Sequence, residues 1–168
     1  MAPIPSFLQS VPLLHSLSPA ELDRLATWFE ARNVTSGTII LYEGRPHDSL
    51  YLLRAGRVVV TKTIRGETEA VLAHLDPPTH FGELDLIDAQ CASASVTAEL
   101  DCELLVLDAE RLRRLFAEDG VLFGKFAWAM MQDLTAKIRR TNDKLQEVIL
   151  WGLDATSSDP GEYQKSKP

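Results

Sequence analysis

The sequence predicts a mainly β domain with flanking helices, an antiparallel sandwich or barrel. Three observations carry this. Short β-rich runs (GTIILYEG, SLYLLRAG, RVVVTKTI, EAVLAHL, SASVTAE, CELLVLD) fill residues 34–107. Gly, Pro, Asp and Asn punctuate them at about 8 to 12 residues, the rhythm of hairpin-linked strands rather than of βαβ units. Helical periodicity is confined to the two ends of the chain.

Taken in order, residues 18–32 read as the N-terminal helix. Ser18 caps it, Pro19 suits its first position, Glu21 completes a capping box, and Leu22, Leu25, Ala26 and Phe29 share one face. In the β region, Val58 and Val60 alternate with Val59 and Thr61, and Leu104 and Val106 with Leu105 and Leu107. Gly44, Gly56 and Gly66 mark reversals, with Arg65-Gly66-Glu67 as a hairpin tip. Asp108 is the expected N-cap of a helix AERLRRLFAEDG. A long helix follows over residues 121–153. Its Leu134, Ile138, Thr141, Leu145, Val148 and Gly152 alternate in steps of four and three, a seam suited to pairing with a second copy. The ordered domain is expected over 1–153, with the β region at about 34–107 and C-terminal helices at 108–153. The polar stretch 154–168 is expected to be a disordered tail.

Composition narrows the function. At 168 residues, 45% hydrophobic and 24% charged, the chain is sized for one globular domain. A net charge of −7 opposes a nucleic-acid role. The basic clusters Arg111-Leu112-Arg113-Arg114 and Lys137-Ile138-Arg139-Arg140 read as solvated helix faces. Cys91 and Cys102, outside any CxxC, fit a reducing compartment and offer no metal set. The N-terminus lacks a basic n-region and is broken by Pro3, Pro5 and Pro12, so it is a poor signal peptide. No apolar run reaches the roughly 18 residues of a membrane span. The expected location is cytoplasmic, with no membrane partner.

Gly37, Glu43-Gly44, Ser49-Leu50-Tyr51-Leu52-Leu53, Gly56-Arg57-Val58, Phe81-Gly82-Glu83-Leu84 and Ala94-Ser95-Val96 come in the order and spacing of the cyclic nucleotide-binding domain. Over roughly residues 10–150 the chain resembles that family, which includes catabolite activator-type regulators and regulatory subunits of cyclic-nucleotide-dependent kinases. The resemblance implies a β-roll (a double-stranded β-helix or jelly roll) with a phosphate-binding cassette, here residues 81–96. It implies cAMP or cGMP as ligand. Glu83 would accept a bond from the ribose 2′-hydroxyl, and Gly82 and nearby amides would approach the ligand. Phe81, Leu84, Ser93, Ala94 and Ser95 complete the candidate site. Trp128, Met131 and Thr135 would lie over it from the final helix.

The family's phosphate-pairing arginine aligns with Ala92, and the proline before it with Cys91. Alanine has no donor to replace two parallel charge-assisted bonds. The loss is on the order of 1.5–3 kcal/mol, about one to two decades of affinity. Arg45, Arg57 and Arg139 are alternative cations. Pro78-Thr79 before the cassette and Arg45-Pro46-His47 after Glu43-Gly44 also depart from the pattern. The expected function is a non-enzymatic regulatory or sensor module in which cAMP or cGMP binding is weak or absent. Two alternatives stand beside it: a genuine cyclic nucleotide-binding domain using other phosphate donors, and a dimeric interaction scaffold with no small ligand. At residue level, Glu83 is equally a helix-capping carboxylate, and Ser93 and Ser95 are more often locally bonded strand residues than ligand donors.

Other chemistry is weaker. His15, His47, His74 and His80 are scattered. His74 and His80 approach each other across the Pro77-Pro78 turn at best, and a haem ligand among them or at Cys91 is set aside for locally bonded imidazoles. Ser, His and Asp occur in no triad context, and Asp85 and Asp88 near Glu83 do not amount to acid–base machinery. Trp28, Phe29, Phe123, Phe126, Trp128, Met130 and Met131 read as helix–roll packing. The fifteen residues after Leu153 are too few for a helix-turn-helix, so a transcription-regulator role is not expected unless the chain is a fragment. The expected partners are a second copy through the C-terminal helix and a partner protein.

Overall fold

The computed structural model describes residues 3–64, 68–88 and 91–157 of the chain. It contains eight strands and five α-helices among these residues: α1 (Ile4–Ser10), α2 (Pro19–Ala26), β1 (Glu30–Val34), β2 (Ile39–Leu41), β3 (Ser49–Ala55), β4 (Val58–Ile64), β5 (Thr68–Leu75), β6 (Thr79–Phe81), α3 (Glu83–Asp88), β7 (Ser95–Ala98), β8 (Cys102–Asp108), α4 (Ala109–Glu118) and α5 (Gly120–Ser157). A 3₁₀ turn, Pro12–Leu14, joins α1 to α2. The hairpin tip expected at residues 65–67 lies outside the described residues; of the tail expected over 154–168, residues 154–157 continue α5 and the rest lie outside the described residues. Two compact units divide the chain, Met1–Met130 and Met131–Pro168.

Within the first unit, two antiparallel four-stranded sheets face each other, in the orders β1-β8-β3-β6 and β2-β7-β4-β5. This is the expected sandwich. The central strands β3 and β8 of the first sheet are buried on both faces, and period-two alternation divides their side chains. Leu50 and Leu52 of β3, with Leu105 and Leu107 of β8, join Leu8, Leu14, Leu25, Leu115, Leu122 and Phe126 beneath the helices. Tyr51 and Leu53, with Leu104 and Val106, meet Leu41, Val58, Phe81 and Val96 between the sheets. Two hydrophobic faces explain why LYLL and LLVL are unbroken apolar runs.

The N-terminal helix is shorter than its periodicity predicts. The α2 helix ends at Ala26, and Glu30–Val34 pairs with Val106 through Cys102 of β8 instead. The vacant edge of β8 offers a ladder of backbone bonds, and Arg111 fixes the strand by donating from Nη2 to Glu30 Oε2 at 2.6 Å. Long-range pairing outweighs local helix propensity here. An additional helix, α1, forms where the sequence showed only prolines; Pro5 sits in its first turn, where a missing N–H costs nothing, and Phe7 and Leu8 are buried. Aromatic packing holds for Phe29, Phe126 and Met130, which are buried, but Trp128 is 60% exposed. Asp108 caps α4 as expected, accepting from the Arg111 N–H at 2.8 Å. No described helix is long and apolar enough to cross a membrane.

The α2 capping box makes an acid-sensitive contact. Glu21 accepts from Ser18 N and Ser18 Oγ, both at 2.9 Å, and from Lys125 Nζ. The Lys125 bond, then the Ser18 bonds, hold its carboxyl at about 2 against an ordinary 4.5. The unfolded chain therefore takes up this proton at higher pH than the folded one. The stabilisation is complete above about 4.5 and is lost as pH falls towards about 2. Glu21→Gln is expected to flatten the unfolding free energy across that window and leave its slope above the window unchanged. Parallel curves for variant and parent through the window would refute the assignment.

Candidate functional site

A cavity of about 160 Å³ lies in the β-roll, lined by Leu41, Val60, Phe81, Gly82, Glu83, Leu84, Ser93, Ala94 and Val96. Its floor comes from inward-facing strand residues. Val60 and Val96 are direct cross-strand partners between β4 and β7, and Leu41 pairs with Val96 from the other side. Its rim comes from Phe81, Gly82, Glu83 and Leu84 at the start of α3 and from Ser93 and Ala94 before β7.

Phe81 ends β6 opposite Tyr51 of β3. The rings of His47, Tyr51 and Phe81 form a stack, with centroids 5.3 and 5.1 Å apart and planes 14° from parallel at each step. His47 Nε2 bonds to the Ser49 carbonyl at 2.7 Å, so the stack is anchored to β3. Burial pushes the Tyr51 phenol above its ordinary value. The chain then turns at Gly82 with φ of 82°, passing so close to β3 that a Cβ there would stand 2.5 Å from the Ser49 carbonyl oxygen. This turn delivers Glu83 to the first position of α3, 8% exposed and on the cavity wall. Leu84 beside it is 48% exposed.

The return limb, residues 91–95, is fastened to the loop after β2. Cys91 bridges Pro46, Ala92 N donates to Arg45 O at 2.9 Å, and Gly44 N donates to Ala92 O at 2.9 Å. Glu43 N donates to Ser95 Oγ at 3.0 Å, and Thr63 N donates to Glu43 Oε2 at 2.8 Å. The Thr63 N–H, and after it Lys62, hold the Glu43 carboxyl below its ordinary value. Lys62 Nζ donates to Ser93 O at 2.6 Å and stands 3.6 Å from Glu43 Oε1.

Of the predicted residues, Phe81, Gly82, Glu83, Leu84, Ser93 and Ala94 therefore meet at one cavity. Ala92 does not line it: the residue is 3% exposed, beneath the Gly44–Arg45 backbone. Nor does Ser95, whose hydroxyl is engaged with Glu43. Two of the proposed substitute arginines are placed elsewhere. Arg45 lies over the Tyr42 ring at 5.2 Å, and Arg57 Nε contacts Asp76 at 2.7 Å. His74 contacts Glu99 at 2.9 Å, and His80 is buried in β6. Both cysteines are free. Trp128 is not a wall residue. Met131, 51% exposed, and Thr135, whose hydroxyl donates to Met131 O at 2.8 Å, belong to the second unit. Sequence reasoning missed Leu41, Val60 and Lys62. The signal for the last two was the Val58–Val60 alternation, which extends to Lys62.

Comparison with known proteins agrees with this geometry. Residues 31–119 match the family profile described as "Cyclic nucleotide-binding domain". The cyclic AMP receptor protein of Thermus thermophilus is 39% identical over 103 residues, which are 61% of this chain and 48% of that protein. A cAMP-dependent protein kinase regulatory subunit of Aspergillus fumigatus is 34% identical over 110 residues, 66% of this chain and 26% of that one. The chain thus spans about half or less of these curated relatives. A crystal structure of a cyclic nucleotide-binding domain from Methylobacillus flagellatus superposes with a TM-score of 0.76 at 28% identity, covering 86% of this chain and 81% of that one.

Proposed function

The chain belongs to the cyclic nucleotide-binding domain family, and on that premise we propose that it is a non-enzymatic regulatory or sensor module with a degenerate phosphate-binding cassette. The observation that carries this is the content of the cassette. The turn, the buried carboxylate of Glu83 and the hydroxyl-bearing return limb are retained around an apolar cavity, while Ala92 stands where the family pairs an arginine with the cyclic phosphate. The cavity favours a ribose hydroxyl against Glu83 and a base against Leu41, Val60 and Val96. It lacks the bidentate partner that makes phosphate binding tight.

In this reading the pocket's occupant shifts the C-terminal helices between packing states, and the change is read by a second copy or a partner protein. Supporting a second copy, Ile138, Leu145 and Val148 recur at heptad spacing on α5 with 62%, 56% and 64% of their surface exposed. The relatives' names attach the fold to cAMP reception and kinase regulation. The two free thiols suit a cytoplasmic setting.

Calorimetric titration with cAMP and with cGMP tests the reading. No saturation is expected at micromolar ligand. Stoichiometric, sub-micromolar capture of either nucleotide by the unaltered chain would sink it.

A further inference from the structure

We propose that Lys62 is the cation through which this cavity recognises an anionic group, specifically a phosphate carried by a ribose-containing ligand. The inference rests on reading the cavity as a ligand site, and it adds the residue that sets the ligand's charge.

Position comes first. In β4, Val58 and Val60 face the interior, and Val60 is a wall of the cavity. With a period of two, Lys62 occupies the same face one step nearer the rim. The β4–β7 ladder runs through Val60 with Val96 to Thr61 with Ser95, one residue short of Lys62 on β4 and of the wall residue Ala94 on the other limb. On that face β4 thus carries an ammonium directly after the floor residue Val60. Lys62 Nζ reaches the carbonyl of Ser93, also a wall residue, at 2.6 Å. That carbonyl is one residue past Ala92, where the family's guanidinium would begin.

Availability comes second. An ammonium has three N–H donors. One is used on a neutral carbonyl. The counter-charge, Glu43, is 3.6 Å away, beyond the roughly 2.7–2.9 Å of a charge-assisted bond, and its other oxygen accepts from Thr63 N. The Lys62 side chain is 46% exposed, and its four-carbon stem lets the head turn from Ser93 O to an arriving anion. An anion at the rim would share the Lys62 charge with Glu43, 3.6 Å away, and would displace only a main-chain contact between an ammonium and an uncharged group. As a point charge rather than a planar fork, lysine gives a weaker and less directional hold than arginine, which agrees with a cassette of reduced affinity.

The experiment compares cAMP with adenosine, which share base and ribose and differ in the cyclic phosphate, on the full chain and on Lys62→Met and Lys62→Arg. The unaltered protein is expected to prefer cAMP over adenosine by about tenfold or more, a preference that shrinks as salt rises. Lys62→Met is expected to abolish the preference while adenosine affinity and the thermal unfolding curve stay as in the parent; Lys62→Arg retains it. The adenosine arm separates loss of charge from a collapsed pocket. A Lys62→Met chain that still prefers cAMP overturns the proposal. So does an unaltered chain that does not distinguish the two ligands, whether it binds both equally or neither, although the reading of weak or absent nucleotide binding would then stand. Sub-micromolar cAMP binding that vanishes in Lys62→Met has the opposite outcome: Lys62 is upheld and the weak-binding reading fails.

Discussion

Gly82→Ala is expected to lower the stability of the domain by about 2–5 kcal/mol. Placing a side chain in left-handed backbone costs about 1–2 kcal/mol, and overpacking against a neighbour that cannot yield costs about 1–3 kcal/mol more. The added Cβ would stand 2.5 Å from Ser49 O, a main-chain atom of the central strand β3, and 3.3 Å from both His47 Nε2 and Tyr51 Cδ2. Either β3 moves or Glu83 does, and β3 is held in the middle of its sheet by β8 and β6. Gly37→Ala is the control. Its φ of 83° is equivalent, but no heavy atom lies within 4 Å of the added carbon, so only the conformational cost remains. Urea unfolding of both variants gives the comparison. If Gly82→Ala proves no less stable than Gly37→Ala, the close approach is not what fixes the turn. Because Gly82 aims Glu83, the same variant should also weaken whatever ligand the cavity holds.

Ala92→Arg is expected to raise cAMP affinity by about ten- to a hundredfold, the equivalent of roughly 1.5–3 kcal/mol for a regained charge-assisted contact. The backbone at this position is already in place: Ala92 exchanges main-chain bonds with Gly44 and Arg45, and the next residue, Ser93, forms part of the cavity wall. The substitution therefore supplies a guanidinium to a loop whose course is set from both sides. Adenosine affinity should not change, since adenosine has no phosphate for the new group to hold. A folded Ala92→Arg chain, verified by its unfolding curve, with unchanged cAMP affinity would show that the missing arginine is not what limits this pocket.

The two predictions address different parts of one site, and the sequence revealed these parts unequally. The turn and carboxylate were legible because Phe81-Gly82-Glu83 is a local arrangement: a glycine that permits positive φ, followed by an acid at a helix start. The apolar walls were less so. Val60 looked like one more alternating strand residue, and nothing local distinguishes a side chain that faces a cavity from one that faces core. Arg45 and Arg57 were reasonable substitutes by charge alone, yet Tyr42 and Asp76 engage them. Lys62 was overlooked because it lies thirty residues from Ala92 and reaches the cassette only across the β4–β7 ladder.

By itself the sequence determined the elements whose causes are local. The apolar alternation specified strands, Asp108 and the Ser18–Glu21 pair specified helix starts, and Phe81-Gly82-Glu83 specified the turn into α3. Only the tertiary structure decided what depends on partners distant in the chain. The open edge of β8 ended α2 at Ala26 and drew Glu30–Val34 into a sheet. The loop after β2 buried Ala92, and the pairing of β4 with β7 brought Lys62 Nζ within 2.6 Å of Ser93 O. Propensity and capping act over a few residues, whereas a ladder bond or a shared cavity joins residues by position in space, which the chain acquires only when the sheets close on each other.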